Sequence, residues 1–299
     1  MERLALYTTV YPGVEKYLSA WYKSVLAQTD RNFDIWIGVD GLDVSAVTAA
    51  MGADPSATWV IAVRGDSPAQ IRQKAIERMV NEYPAVIFVD SDDVLEPTRV
   101  EAARESLQEN DVSGCAMNII DEDDHDLGIV FAPPDGVDVA AVLPRNNVFG
   151  LSNTVYRSQT LCQCLPIPAE CVLVDWFLIT CVWALGVGLD FDFTPRMAYR
   201  QHPRNTARVL PPFTPQQVIL ATERVLDHYT CVMESIPELQ PQYRVELEVA
   251  RDYAEAFHMS IKDSPDTLHQ YVQALNQLPP NHVWWACVAH PQLEEIWKS

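Results

Sequence analysis

The sequence of 299 residues predicts an α/β fold, in which a mostly parallel sheet carries helices on both faces and an α-helical appendage follows. Two observations support this prediction. Short apolar runs alternate with helical patterns over about the first hundred residues, and amphipathic helical patterns fill the chain from residue 215 onward. Hydrophobic residues make up 48% of the chain, which is ample material for a packed core.

Four apolar, β-branched runs in the first part of the chain predict strands, at residues 3–8, 33–39, 59–63 and 85–89. A helical pattern from Val14 to Leu26 separates the first two runs. Before the fourth run, Ser67 and Pro68 supply an N-cap and a first-turn proline, and Pro84 ends that helix. Sheets of this kind bind ligands at the carboxyl ends of their strands, so functional residues are expected there.

From residue 115 to 153 the pattern becomes shorter and more strand-like, and a second helical stretch follows around Asp175. Residues 172–189 carry Asp175 as their only charge, but the uncharged run from Trp176 is only fourteen residues long. A membrane span needs about 20 residues, so we expect a buried helix and no integral membrane segment. The tail is expected to form several amphipathic helices, broken at Pro237, Pro241, Pro265 and 279–280.

This organisation predicts one domain over residues 1–210, with halves of about 1–114 and 115–210, and a helical extension over residues 211–299. Four apolar residues of the extension fall at helical spacing, so its helices are expected to bury an apolar face. These are Val218, Ala221, Val225 and Leu226. That face could pack on the sheet, form a homodimer or cover a groove of the domain.

The composition is strongly acidic, with 41 acidic against 21 basic residues and a formal net charge of −20. Nucleic acids and anionic membranes are bound by excess Lys and Arg, so neither is expected as a partner, whereas divalent cations suit this charge. The seven cysteines are an odd number without a Cys-x-x-Cys pair, which indicates reduced buried thiols. The N-terminus lacks the long apolar core of a signal peptide, and a cytoplasmic location is expected.

The sequence Asp-Ser-Asp-Asp at residues 90–93 directly follows the fourth predicted strand. Three carboxylates in four residues repel one another unless a cation or solvent screens them. At the end of a buried strand, a divalent metal bound by these oxygens would screen the charges. The alternative is an acidic turn in which Asp92 or Asp93 caps the next helix before Pro97. Asp40 also ends a strand, so two strand ends would present carboxylates to one crevice.

Several segments resemble, in order, the motifs of one enzyme family. They are Ser-Val-Leu-Ala-Gln-Thr at 24–29, Phe-Val-Asp-Ser-Asp-Asp at 88–93, Val-Asp-Trp at 174–176 and Tyr-Arg-Gln-His-Pro-Arg-Asn at 199–205. On these motifs the chain resembles the family-two glycosyltransferases of GT-A fold, of the nucleotide-diphospho-sugar transferase superfamily, over about residues 3–206. The resemblance implies transfer of a sugar from a nucleotide diphosphate to a hydroxyl acceptor with Mn²⁺ or Mg²⁺. It also makes the first half of the domain nucleotide-binding and the second half acceptor-binding.

The resemblance implies six nucleotide-sugar-binding residues: Thr8, Asp40, Arg72, Asp90, Ser91 and Arg200. Among them, Asp40 reads the nucleotide base and Arg72 contacts the nucleotide. Asp92 is implied as the principal metal ligand of this Asp-x-Asp motif, and Asp90 could help it or bind a ribose hydroxyl. His202 is implied to complete the metal shell or to contact the diphosphate, with an ordinary surface histidine as the alternative.

Asp175, in the Val-Asp-Trp motif, is implied to be the general base. It is a lone acid in an apolar helical segment, where desolvation raises the pKa of a carboxylate toward working pH. The alternatives are a buried acid paired with an arginine, or a helix N-cap. One base without an enzyme nucleophile implies direct displacement with inversion at the anomeric carbon. The chain departs from the family where Val174 replaces Glu and Leu42 replaces Ser, and where the Gln-x-x-Arg-Trp motif of processive synthases is missing.

Two other functions compete with this one. Residues 90–94 also fit the nucleophile motif of haloacid-dehalogenase-type phosphatases, but the only lysines after the motif are Lys262 and Lys298, in the tail. The second alternative is a non-catalytic GT-A scaffold that binds a nucleotide or a partner, which the altered Val174 position supports.

Two further features have simpler interpretations. The acidic run at residues 121–126 lacks the glycine and terminal Glu spacing of a calcium-binding EF-hand, and a solvated hairpin tip is expected. Trp284 and Trp285 are expected to be core or interface aromatics rather than a platform for a sugar.

Overall fold

The computed structural model describes residues 2–134, 136–236, 239–280 and 282–298. Within them, nine strands form one sheet in the order β3-β2-β1-β4-β8-β6-β9-β5, with β7 paired to β6. The strands are β1 (Leu4–Val10), β2 (Phe33–Val39), β3 (Thr58–Ile61), β4 (Ala85–Phe88), β5 (Val94–Leu95), β6 (Val112–Ile120), β7 (Asp126–Phe131), β8 (Thr154–Arg157) and β9 (Leu189–Arg200). The helices are α1 (Leu18–Leu26), α2 (Val44–Met51), α3 (Pro68–Glu82), α4 (Arg99–Ser106), α5 (Val139–Val142), α6 (Ser158–Cys162), α7 (Val174–Ala184), α8 (Pro215–Ser235), α9 (Pro241–Asp263), α10 (Pro265–Leu275) and α11 (Glu294–Trp297).

The first four strands form the parallel part of the sheet. β1 pairs in parallel with β2 and β4, and β2 pairs in parallel with β3. All seven residues of β1 are buried, because a parallel strand is covered on both faces and therefore reads as a continuous apolar run. The four predicted strands are confirmed, with β2 at its predicted bounds and the others within two residues of theirs.

The second half of the sheet is mixed, whereas the sequence predicted a mostly parallel one. β8 is antiparallel to β4 and β6, while β9 runs parallel to β6 and antiparallel to β5. β6 and β7 form an antiparallel hairpin, because the tight turn at residues 121–125 brings the chain straight back. This hairpin was predicted from the acidic run between two apolar segments.

The predicted start of α3 is confirmed. Ser67 and Gln70 form a reciprocal capping box, and Pro68 occupies the first turn.

The helix after the acidic motif is different from the one expected, because its N-cap is Thr98 and β5 lies between the motif and α4. The alternative in which Asp92 or Asp93 caps the next helix is therefore wrong.

The apolar segment around Asp175 forms α7, and every residue of α7 except Asp175 is buried. The expectation of a buried helix is thus confirmed. In the part of the chain that the structure describes, no helix has the length and apolar character needed to cross a membrane.

The tail forms α8 to α11, and α9 and α10 begin at two of the predicted breaks, Pro241 and Pro265. A third predicted break, Pro237, lies outside the described residues. α8 buries the predicted apolar face through Val218 and its helical neighbours, within the same hydrophobic core as the sheet. The Tyr229 hydroxyl of α8 donates a hydrogen bond of 2.8 Å to the Pro144 carbonyl. The tail therefore packs on the domain, while the boundary at residue 210 and a homodimer through the tail stay predictions.

Candidate active site

A cavity of about 670 Å³ opens at the carboxyl ends of β1, β2 and β4. Five of the residues predicted for the site line it: Asp40, Arg72, Asp90, Asp92 and Asp175. Arg72 is the one cation among the described residues that line this cavity. The structure thus brings carboxylates from distant parts of the chain to one edge of the sheet, as the strand pattern predicted.

The acidic motif after β4 is a buried turn with two kinds of carboxylate. Asp93 points into the protein, where it accepts hydrogen bonds from the Ser152 hydroxyl and from the Arg200 backbone N–H at 2.7 Å. Asp90 lines the cavity, and its backbone N–H donates to the Ser152 hydroxyl oxygen at 3.0 Å. Burial and the neighbouring Asp92 charge raise the pKa of Asp90 to about 7. Asp93 therefore has a structural role. On the cavity side of the turn, the neighbouring groups do not fully compensate the negative charge.

His202 holds the Asp92 carboxylate from behind. Its Nε2 lies 2.8 Å from Asp92 Oδ2, and the histidine side chain is only 4% exposed. Its Nδ1 accepts a hydrogen bond of 3.1 Å from the Arg204 backbone, and its ring stacks on Tyr17 with centroids 5.2 Å apart. The alternative of an ordinary surface histidine is therefore wrong.

Arg200 is buried behind the acidic turn and does not line the cavity. Its Nε donates to the Asp92 carbonyl at 2.6 Å, and its guanidinium also donates to Asp124 in the β6–β7 hairpin at 2.6 Å. The same guanidinium lies over the Tyr17 ring, 4.6 Å from its centroid. Arg200 thus joins the acidic turn to the hairpin tip. At least Asp124 of the acidic run, which was expected to be a solvated hairpin tip, therefore pairs with a buried arginine.

Two more predicted residues lie beside the cavity rather than in its wall. The Ser91 hydroxyl donates to the Thr9 carbonyl at 2.8 Å, so Ser91 fastens the acidic turn to β1. Thr8 is buried in β1, and its hydroxyl has no partner within the described residues. Thr9, one position further on, lines the cavity instead. Successive side chains of a strand point to opposite faces, so a shift of one residue decides which threonine reaches the ligand side.

Asp175 lies in the first turn of α7 and lines the cavity. Asn147 Nδ2 donates a hydrogen bond of 3.0 Å to its Oδ2. Burial raises the pKa of Asp175, while the backbone N–H groups of the helix start, Arg72 and Asn147 act in the opposite direction. The N-cap of α7 is Leu173, and Asp175 has no ion pair with arginine among the described side chains. Neither alternative for Asp175, a helix cap or a paired buried acid, is found.

Several lining residues were missed by the sequence reasoning. Trp284 and Trp285 are buried, as expected, but both also line the cavity together with Tyr199. Val174 lines it beside Asp175, so an apolar side chain stands where the family places Glu. No local pattern could have placed the tryptophans there, because they come from the far end of the chain.

The parallel first half of the sheet, the acidic turn at its carboxyl edge and the further acid in the same cavity are features of the GT-A class of fold. Solved structures agree. Staphylococcus aureus TarS residues 1–349, in complex with UDP-GlcNAc, superimposes with a TM-score of 0.55 at 14% identity, covering 99% of this chain and 91% of that chain. The mannosyltransferase PcManGT from Pyrobaculum calidifontis, in complex with GDP-Man and Mn²⁺, gives 0.52 at 12% identity, covering 99% and 88%. These likenesses confirm the predicted fold.

Sequence comparisons point to glycosyltransferases as well. The family model for glycosyl transferase family 2 matches residues 7–147. An uncharacterized glycosyltransferase of Rickettsia conorii is 30% identical over 110 residues, which is 36% of this chain and 18% of that protein. The chain therefore spans less than a fifth of this relative's length. Over residues 7–147 the chain matches the glycosyl transferase family 2 model, which agrees with the resemblance seen in the sequence motifs of that range.

Proposed function

We propose that this chain transfers a sugar from a nucleotide diphosphate to a hydroxyl acceptor, with a divalent metal and with inversion at the anomeric carbon. The observation that carries the proposal is the shared cavity, whose lining includes Asp90, Asp92 and Arg72 together with Asp175. A donor diphosphate and an acceptor hydroxyl could meet between these two groups. The structures of TarS with UDP-GlcNAc and PcManGT with GDP-Man support the donor class.

The charges of the cavity support a metal-dependent donor site. Its described lining carries five acids, namely Asp40, Asp90, Asp92, Glu170 and Asp175, against the single cation Arg72. The Nε of Arg72 is buried without a partner in the described residues, so this side chain has donor capacity left for a phosphate oxygen. One arginine cannot balance both these acids and a diphosphate, so a divalent cation is needed for the donor to bind.

The residues present fit such a cation. No three His, Cys, Asp or Glu side chains are grouped as a complete metal site in the described parts of the chain. Mg²⁺ in nucleotide sites is held by one or two carboxylates together with substrate phosphates. Asp92 and Asp90 could supply the carboxylates. Bound there, Mn²⁺ or Mg²⁺ would neutralise the charge that develops on the leaving diphosphate. Both nitrogens of His202 are already engaged, which favours a role in holding Asp92 over direct metal ligation.

Asp175 is the general base of the proposal. Its carboxylate would take the proton of the acceptor hydroxyl as that oxygen bonds to the anomeric carbon and the bond from that carbon to the diphosphate breaks. The raised pKa makes this carboxylate a stronger base than an exposed aspartate. Asp40, at the end of β2, is the candidate for reading the nucleotide base. Direct attack of the acceptor hydroxyl on the anomeric carbon would invert the configuration of that carbon.

Thermal unfolding with a panel of nucleotide diphosphates, each with and without Mn²⁺ or Mg²⁺, tests this proposal. At a concentration of 100 times its Kd, a ligand that binds the native state should raise the Tm by ~5 °C. We expect one nucleotide to do so only with metal, and Asp92→Ala to abolish the shift. Asp123→Ala, in the exposed hairpin tip, is the matched control that should keep it. Loss of the metal-dependent shift in Asp123→Ala, or no shift with any nucleotide, would contradict the proposal.

The two rival functions receive less support. The family model covers the Asp-Ser-Asp-Asp motif, and that motif follows the fourth strand rather than opening the fold, which disfavours a phosphatase of the haloacid-dehalogenase type. A non-catalytic scaffold would bind the nucleotide but would not need Asp175, so a variant of Asp175 separates it from a transferase.

A further inference from the structure

Two cysteine thiols lie in contact beside the active-site cavity. All seven cysteines are free and five of them are buried, whereas Cys231 is half-buried. The Cys231 thiol shares a hydrogen bond with the thiol of Cys171, which is 7% exposed. Cys171 lies in the loop before α7, and Cys231 lies in α8. The fold therefore brings together a thiol pair that the spacing of the cysteines in the sequence did not indicate.

The pair lies in a groove that is open to solvent. A second cavity, of about 300 Å³, is lined by residues 170–173 of the loop and by one face of α8. Both cysteines line this groove, together with the exposed α8 residues Asp227, Thr230 and Glu234. A small solute can therefore reach the half-buried Cys231 thiol from the groove.

The surroundings of Cys231 favour its thiolate form. Hydrogen bonds from Cys171 and Ser235 lower the pKa of Cys231, and they outweigh burial and the charges of Glu170 and Glu234, which act in the opposite direction. The hydrogen bond between the two thiols, together with burial, raises the pKa of Cys171. The thiolate is the reactive form of cysteine, so Cys231 supplies the attacking sulfur and Cys171 is its protonated partner.

A second thiol pair in the same protein has a different environment. Cys164 and Cys181 also share a side-chain hydrogen bond, but they are only 3% and 6% exposed. The Cys164 sulfur lies 3.6 Å from the Thr160 carbonyl oxygen and 3.7 Å from that of Leu178. The hydrogen bond with Cys164 and burial raise the pKa of Cys181. This pair is therefore an internal control, in which two thiols touch but are shielded from solvent.

We propose that Cys171 and Cys231 form an oxidation site, at which a hydroperoxide converts the two thiols into a disulfide between the loop and α8. The Cys231 thiolate attacks the O–O bond and becomes a sulfenic acid, and the proton lost from its thiol ends on the leaving oxygen. The Cys171 sulfur then bonds to the Cys231 sulfur and displaces hydroxide, which takes the Cys171 proton and leaves as water. The thiols lose two electrons in total to the peroxide, and a dithiol reductant restores them.

This disulfide would fix one wall of the active-site cavity. Residues 169–173 all line that cavity, so the loop separates it from the groove. On α3, the Ser67 hydroxyl donates to the Ala169 carbonyl, and Gln73 Oε1 accepts a hydrogen bond of 2.7 Å from the Ile167 backbone N–H. A bond to Cys231 would tie the same loop to α8 as well. Oxidation would thus join the cavity wall covalently to the C-terminal extension, whatever reaction the cavity carries out.

Peroxide treatment followed by peptide mapping tests the proposal. The starting protein is Cys162→Ser, which lacks the exposed thiol. We expect a slight molar excess of hydrogen peroxide to yield a peptide pair in which Cys171 is joined to Cys231, and dithiothreitol to separate it. Cys164 and Cys181 should stay reduced, because buried thiols are inert. The chain between the joined cysteines is long, so the link should also raise the Tm by about 5 °C until dithiothreitol is added.

Two variants in the same background separate the roles of the thiols. Cys171→Ser should stop at the sulfenic acid of Cys231, which dimedone traps, and its Tm should not rise with peroxide. Cys231→Ser should leave the buried Cys171 reduced. A treated protein without the linked peptide, or one that joins Cys164 to Cys181 instead, would overturn the proposal. Dimedone labelling of Cys171 in Cys231→Ser, with Cys231 unlabelled in Cys171→Ser, would contradict the assignment of Cys231 as the attacking sulfur.

Discussion

Asn147 Nδ2 donates a hydrogen bond of 3.0 Å to Asp175 Oδ2, while the Asn147 backbone carbonyl accepts one of 2.9 Å from Trp284. The same asparagine therefore contacts both the proposed general base and Trp284 of the C-terminal extension. Its side chain also closes a local turn with the Phe149 backbone, so its orientation is fixed from several directions. This residue therefore connects the start of α7 to the C-terminal extension.

Replacing Asn147 should change the pH dependence of transfer. The base must be deprotonated to act, so activity is present above the raised pKa of Asp175 and is lost as the pH falls through it. The Asn147 N–H stabilises the carboxylate, so Asn147→Ala should raise this pKa further and move the acid limb of kcat/KM to higher pH. We expect a loss of about tenfold at neutral pH, in line with a hydrogen bond to a charged group.

Asn146→Ala is the matched control, because Asn146 contacts Trp284 but not Asp175. Its acid limb should stay at the position of the parent protein. An Asn147→Ala profile that coincides with that of the parent would show that the hydrogen bond does not tune the base.

Removing His202 should weaken metal-dependent donor binding. His202→Ala leaves the buried Asp92 carboxylate without its 2.8 Å partner, so the geometry that presents Asp92 to a cation is lost. Outer partners of metal ligands contribute about 10- to 100-fold in affinity, and a titration of the nucleotide-induced Tm shift with Mn²⁺ should show a loss of that size. His269→Ala, exposed on α10, should titrate like the parent. Equal Mn²⁺ dependence in both variants would refute a role for His202.

Gly150→Ala should disturb the packing of Trp284. The added Cβ would lie 2.7 Å from the Trp284 ring, which is closer than two carbon atoms can pack. The ring or the backbone must therefore shift. Overpacking of this kind costs about 1–3 kcal/mol, measurable as a lower free energy of unfolding in urea. Gly188→Ala introduces the same methyl group where no atom lies within 4 Å and should be near neutral. A Gly150→Ala protein as stable as Gly188→Ala would mean that Trp284 is not seated as described.

Thr214→Ala should destabilise the extension where it leaves the domain. Thr214 and Gln217 form the capping box of α8, so losing the hydroxyl removes the acceptor for the Gln217 backbone N–H. A lost N-cap costs about 1 kcal/mol of unfolding free energy, and Thr214→Ser should restore it. Because α8 shares the core of the domain, a single cooperative urea transition is expected. A separate transition for the tail would contradict this expectation and show that the extension folds independently.

The sequence predicted the parts of the site that depend on local pattern. Strand ends followed by acids indicated Asp40, Asp90 and Asp92, and the resemblance added Arg72 and Asp175. All five residues line the cavity. The direction of single side chains within that frame was harder to predict. Arg200 and Ser91 face the protein side of the acidic turn because hydrogen bonds to distant backbone groups decide their orientation. Trp285 depends on tertiary packing of the tail, which a local sequence pattern does not contain.

The most direct test of the proposed transfer is the rate of nucleoside diphosphate release from the stabilising donor, with metal and a mixture of neutral methyl glycosides, in Asp175→Asn and the parent protein. Our account predicts that Asp175→Asn keeps the metal-dependent Tm shift of the donor but loses about 10²- to 10⁴-fold in rate, the contribution of a general base. A variant that releases nucleoside diphosphate as fast as the parent would contradict the assignment of Asp175. A parent protein that binds the donor but never turns it over would favour the non-catalytic scaffold.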